Sequence, residues 1–184
     1  MKQIKLNSEV VVSDPCYTIP TWCQAIVSGV KPGMYDTHLK KHDAGDWGTR
    51  CSMLLVIHED HKDDKLLWED HPATIGVDSG QCGIFSRESY RNDNHQIENG
   101  PAKFSYGRDQ EGDGFYNKMC QRTLGEESFG TYDEGIVSSS GFGDGSYRLY
   151  VAKKRGKIVA MCVDFCVEDD EKIDFDFFRS QVIS

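Results

Sequence analysis

The sequence predicts a mainly β fold, α+β at its margin: an antiparallel sheet, or two packed sheets, with one or two helices. Three observations lead there. Val159, Met161, Val163, Phe165 and Val167 alternate with Ala160, Cys162, Asp164 and Cys166, a period of two that buries the first set and half-exposes the second. A matching row of Tyr147, Leu149 and Val151 precedes the short polar turn Lys153, Lys154, Arg155, Gly156, so 146–152 and 157–167 read as a hairpin. The run 53–57 is apolar on both faces, which marks a central strand.

The other elements follow in chain order. Strands are expected at 2–6 and 9–12, and a second hairpin pairs 34–42 with 49–58 across Asp43 to Gly48. Strands at 73–77 and 83–85 come next, then a helix at 115–124 with Asp113 as its cap. Polar runs at 58–64 and 92–100 read as loops. The echo between Gly112, Asp113, Gly114, Phe115, Tyr116 and Gly143, Asp144, Gly145, Ser146, Tyr147 reads as reused turn chemistry. No linker of low complexity divides the chain, so residues 1–184 are expected to form a single globular domain.

Thirty acidic against twenty-one basic side chains leave a net charge of −9, which repels a polyphosphate backbone and argues against nonspecific nucleic-acid binding. No stretch approaches the roughly 18 apolar residues of a membrane span, so no membrane partner is expected. Lys2, Lys5 and Glu9 interrupt the first twelve residues, which removes the apolar core of a signal peptide and predicts a cytoplasmic protein. The cluster Glu168, Asp169, Asp170, Glu171, Asp174 and Asp176, broken by Ile173, Phe175, Phe177 and Phe178, reads as a packed amphipathic end with a wet face.

Seven cysteines without a CxxC pair predict free thiols. Cys162 and Cys166 would stand about 13 Å apart on a strand, as would His38 and His42, too far for one metal. His58, His61 and His71 read as solvated, and no metal or cofactor is expected. Trp22, Trp47 and Trp68 read as core or hairpin-cover residues.

Three segments join an aspartate to turn-forming neighbours at a strand end: Asp14 to Tyr17, Asp78 to Gln81, and Ser138 to Tyr147. Glycine lets backbone approach a ligand closely, and successive amides make an anion nest that serine hydroxyls extend. The candidate ligand-binding residues are therefore Asp14, Tyr17, Asp78, Ser79, Gln81, Ser138, Ser140, Asp144 and Tyr147. If the loops converge, they form a site for a small polar, nucleotide-like ligand, with Tyr17, Tyr147 or Trp22 stacking on a base. Alternatively, Asp14, Asp78 and Asp144 hold Mg²⁺ and the protein hydrolyses a phosphoester. GxSxG and HExxH are absent, and no catalytic residue is assigned.

The segments DPCY, VDSGQ and SSGFGDGSYRLYVAKKRGKIVAMCVDF resemble an uncharacterised family of bacterial and phage proteins that carry a VDSGQ-like turn and a GDGSYPVY-like hairpin. Arg148 and Leu149 stand where that family has Pro and Val. The resemblance implies a cytosolic, often phage-borne domain and supplies no reaction. Binding without turnover is favoured, as a phage factor that sequesters a host immune signalling molecule in the host cytoplasm. An acidic inhibitor of a host protein is the third reading, and homo-oligomerisation stays open.

Overall fold

Among the described residues, eleven strands form two antiparallel sheets that pack face to face. The structure, a computed structural model, describes residues 2–92, 113–132 and 134–167. The strands are β1 (Lys2–Leu6), β2 (Glu9–Ser13), β3 (Ala25–Ser28), β4 (Gly33–Asp43), β5 (Thr49–His58), β6 (Trp68–Val77), β7 (Gln81–Ser86), β8 (Phe129–Tyr132), β9 (Gly135–Ser139), β10 (Gly145–Lys154) and β11 (Lys157–Asp164). A helix, α1 (Asp113–Thr123), precedes β8. The six-stranded sheet runs β1-β4-β5-β11-β10-β6 and the five-stranded sheet β3-β2-β7-β9-β8.

Alternation decides which side chain goes where. In β2, Val10 and Val12 enter the space between the sheets while Val11 faces the helix. Ile84 and Phe85 in β7 divide in the same way, as do Ile136 and Val137 in β9. The inter-sheet core continues through Ile4, Leu6, Tyr35, Leu54, Val56, Ile75, Leu149 and Val163. On the far side of the smaller sheet, Phe115 and Met119 of α1 pack on Phe85, Tyr90 and Tyr132, with the Phe85 and Phe115 rings edge to face at 5.4 Å, a favoured geometry for an aromatic pair.

Both predicted hairpins form, and β5 takes the central place its sequence asks for, between β4 and β11. In β11 the expected half-exposure of alternate residues fails. Ala160 and Cys162 are buried in a third apolar cluster with Met53, Leu55 and Ile57 on the outer face of the larger sheet, so only Asp164 and Cys166 reach solvent. The register also shifts between Ala152 and Lys153. Ile158 joins the inter-sheet core as a result.

Strands β3, β8 and β9 are additions to the sequence reading. Each has only four or five residues and is held by its partners more than by its own pattern. Ser138, expected in a loop, lies in β9 opposite Cys82 and Phe129. The repeated GDG motif serves two ends: Asp113 opens α1, whereas Gly145 opens β10. The expected loop residues 93–100 and the acidic end 168–178 lie outside the described residues, as does the Asp113 side chain.

The register sorts the connections to two ends of the sandwich. At one end lie the 14–24 loop, the 44–48 turn, the 78–80 turn and the 140–144 loop, next to the pairs Ser13–Gly83, Asp43–Thr49 and Gly145–Val77. At the other lie residues 29–32 and 59–67 and the Arg155–Gly156 turn, next to Tyr35–His58 and Lys154–Lys157. Strand β10 joins the two ends, about 30 Å apart at strand rise.

Candidate functional site

The three aspartate loops do converge, and Asp14 is their hub. Its side chain is fully buried. Oδ1 accepts from the Cys16 N–H at 2.8 Å and the Ser79 hydroxyl at 2.7 Å, and Oδ2 accepts from the Asp78 and Ser79 amides at 2.9 and 2.7 Å. A dry carboxylate persists only when its oxygens are satisfied, and here four donors from two chain segments satisfy them. The Gly80 amide donates to Asp144 Oδ1 at 3.1 Å, and the Ser140 amide donates to the Gly80 carbonyl at 3.0 Å. Gly80 takes the turn with φ of +68°, a conformation that suits glycine.

The remaining candidates brace this junction. The Ser140 hydroxyl donates to Gly143 O at 2.9 Å, and buried Tyr147 donates its phenol to Ser140 O and Gly143 O at 3.0 and 2.6 Å. Gln81 is buried beside α1, where its amide donates to Cys120 Sγ at 3.3 Å and its oxygen accepts from the Thr123 hydroxyl at 2.9 Å. Burial and a hydrogen bond to Asp78 push the Tyr17 phenol up. Burial, followed by the Asp14 charge, does the same to the Cys16 thiol, so Cys16 is a poor nucleophile. Ser138 sits in the inter-sheet core with no partner for its hydroxyl among the described residues.

The carboxylate with the most donors is thus committed to holding loops together, and a cation at Asp14 would have to displace amide protons. Asp78 and Asp144 remain exposed at the rim. Among the described residues, no three His, Cys, Asp or Glu side chains gather as metal ligands would.

The same end divides the core-or-hairpin-cover expectation for the tryptophans: Trp47 sits on the β4–β5 hairpin turn, whereas Trp22 is neither core nor hairpin cover. Trp22 is 91% exposed and Trp47 69%, so neither is core. The Trp47 ring meets that of Phe142, itself 53% exposed, edge to face at 6.2 Å. Trp68 alone of the three packs on an apolar cluster.

At the opposite end a pocket of about 560 Å³ is lined by Lys31, His61, Asp64, Lys154, Arg155 and Lys157. Its volume lies within the range of small-molecule sites. Lys31 arrives just past β3, beside an isolated bridge between Val30 and Ile158. His61 ends a short 3-10 turn, Glu59–His61. The β10–β11 turn supplies the other cations, with Arg155 and Gly156 both at positive φ, 49° and 75°, as the tight twisted turn between antiparallel strands requires.

Hydrogen bonds order the pocket floor. Lys31 Nζ lies 2.6 Å from Asp60 Oδ2 and 3.2 Å from His61 Nε2. An ammonium only donates, so His61 Nε2 accepts and its Nδ1–H donates to Asp64 Oδ2 at 2.9 Å. The Lys31 hydrogen bond holds Asp60 below the usual carboxylate range, and the His61 hydrogen bond, then Lys154, does so for Asp64. Buried His58 lies beneath, its ring centroid 5.8 Å from that of His61, and burial lowers its pKa. Among the described residues, Arg155 and Lys157 have no carboxylate partner.

Sequence reasoning missed this pocket. The signal present was Lys153, Lys154, Arg155 and Lys157 within five positions of an acidic chain, read only as a polar turn. Comparison with known proteins finds no matching family model, no matching curated protein and no matching solved structure.

Proposed function

We propose that this protein binds a small, polar, nucleotide-like anion and that the phosphate of that ligand sits in the Lys31–Lys154–Arg155–Lys157 pocket. The observation that carries the reading is the pair of cations, Arg155 and Lys157, that have no carboxylate partner among the described residues, on a concave, ordered pocket. In a chain of net charge −9, such a concentration of positive charge focuses the local field on an incoming anion. Arg155 offers a planar fork suited to phosphate, and the lysines offer point charges beside it. This reading keeps the ligand class expected from the sequence and moves its charged end to the other pole of the sandwich. Resemblance to phage-borne proteins supports extending it to sequestration of a host signalling molecule in the host cytoplasm. Turnover has one supporting observation, the imidazole of His61 oriented by Asp64, and it requires Lys31 to leave Nε2, because that nitrogen accepts from the Lys31 ammonium and a general base needs its lone pair open.

Titration with nucleoside diphosphates and cyclic dinucleotides, followed by thermal melts, tests the proposal. A bound ligand at 100 times its Kd stabilises the native state by about 2.7 kcal/mol and raises Tm by roughly 5 to 10 °C. Arg155→Ala combined with Lys157→Ala should weaken binding about 10- to 100-fold without changing the melt of the free protein. A flat panel with folded protein, or equal affinity in the double variant, overturns the reading. Intact ligand recovered after denaturation supports binding, and products support a hydrolase.

A further inference from the structure

The end opposite the cationic pocket carries a second surface. The described residues hold five exposed large hydrophobic side chains, Trp22, Trp47, Leu67, Leu124 and Phe142. All three aromatic members lie on loops of the same end. Trp22 precedes Cys23, whose carbonyl accepts from the Gly76 amide near the end of β6. Trp47 sits on the β4–β5 turn and touches Phe142 of the 140–144 loop. Between β6 and β5 the sheet order places β10 and β11, so the two aromatic stations are separated by about three strand spacings, roughly 14 Å.

The rim between them carries four carboxylates and one neighbouring cation, Arg91, which donates to the Pro15 and Cys16 carbonyls. Asp78 follows β6, Asp144 precedes β10, and Asp43 and Asp46 flank the turn that carries Trp47; all four are exposed. Asp144 is fixed by the Gly80 amide, and Asp78 is tied to Tyr17, so their charges stand on braced turns. Exposed aromatics cost solubility and contribute nothing to this core, whereas at interfaces Trp and Phe supply the anchoring contacts. Carboxylates between them reject phosphate-bearing surfaces, membrane headgroups and nucleic acid alike, and attract guanidinium and ammonium groups, which also pack on aromatic faces.

We propose that this end docks a protein segment rich in arginine or lysine, its aliphatic stems lying on Trp22 and the Trp47–Phe142 pair and its cations meeting Asp78, Asp144 and Asp46. The surface is independent of the anion pocket, so either assignment can fail while the other stands.

The test uses the full chain and a fluorescent peptide of alternating Arg and Gly, with a Glu-Gly peptide, single-stranded DNA and anionic lipid vesicles as competing probes. The Arg-Gly peptide should bind with micromolar affinity at low salt. Trp22→Ala and Phe142→Ala should each weaken it about 10- to 30-fold; Trp22→Ala should leave Tm unchanged, because that side chain already faces water, and Phe142→Ala should lower it by no more than a few degrees through loss of the Trp47 ring contact. Arg155→Ala should leave peptide affinity unaltered. Absence of peptide binding up to about 1 mM, parental affinity in both aromatic variants, or preferential binding of DNA or vesicles overturns the proposal.

Discussion

Replacing Asp14 by alanine removes one side chain and strands four donors: the amides of Cys16, Asp78 and Ser79, and the Ser79 hydroxyl. Hydrogen bonds to a charged acceptor contribute about 1.5 to 3 kcal/mol each. The loss is smaller than four such bonds, because Asp78 is exposed and Cys16 and Ser79 are half-buried, so water recovers part of it. Two bonds left unreplaced give about 3 to 6 kcal/mol, a large share of the stability of an ordinary domain. For a chain of this length Tm should fall by about 6 to 24 °C. Asp14→Asn is milder by a specific route: its oxygen keeps the Asp78 and Ser79 amides, its NH₂ faces the Ser79 hydroxyl, which can turn to accept, and only the Cys16 amide is left without a partner, at about 1 to 2 kcal/mol. Differential scanning calorimetry with urea titration measures both variants. A ligand-binding carboxylate behaves in the opposite way, since its removal leaves stability unchanged or raises it. An Asp14→Ala protein melting within about 2 °C of the parent refutes the staple and returns Asp14 to the list of ligand contacts.

Two further outcomes follow from the titrating groups. Burial lowers the pKa of His38, His58 and His71 in the folded state, so the unfolded chain binds more protons as pH falls; stability is complete above the unfolded histidine value of about 6.5 and declines below it. Melts at about pH 7.5 and 5.5 should show a lower Tm at the acid point, and equal values would contradict neutral buried imidazoles. All seven cysteines are free, with Cys23, Cys51, Cys82, Cys120 and Cys162 buried. A thiol reagent should therefore modify exposed Cys166 first and Cys16 slowly, then reach all seven in denaturant. More than two fast thiols in the native protein would refute the burial, and a deficit in denaturant would reveal a disulfide.

Asp14 also shows where sequence reasoning turned. An aspartate before proline at a strand end signals a turn and a carboxylate, and both are present. What the carboxylate faces depends on amides 64 and 65 positions away, a distance no local pattern spans. The convergence of the three loops was a condition set by the sequence and met by the fold, but the polar groups that gather there largely satisfy one another. The cationic pocket is assembled across the chain in the same way: Lys31 and His61 belong to two separate connections and Lys154 ends β10.

The strands with the strongest pattern were legible from residue order: β5, β10 and β11 alternate or run apolar over eight to ten residues, and backbone pleating turns that alternation directly into faces. Net charge and the absence of paired cysteines belong to composition and were equally legible. Tertiary structure alone decided the short strands β3, β8 and β9, which exist because neighbours supply their hydrogen bonds. It also decided the burial of Ala160 and Cys162, since a covered outer face depends on what packs there. Trp22 was the sharpest case: a large aromatic is expected inside, yet its loop position leaves it in water. Periodicity is written in neighbouring residues, whereas the two ends of this sandwich are assembled from chain segments that only the closed fold brings together.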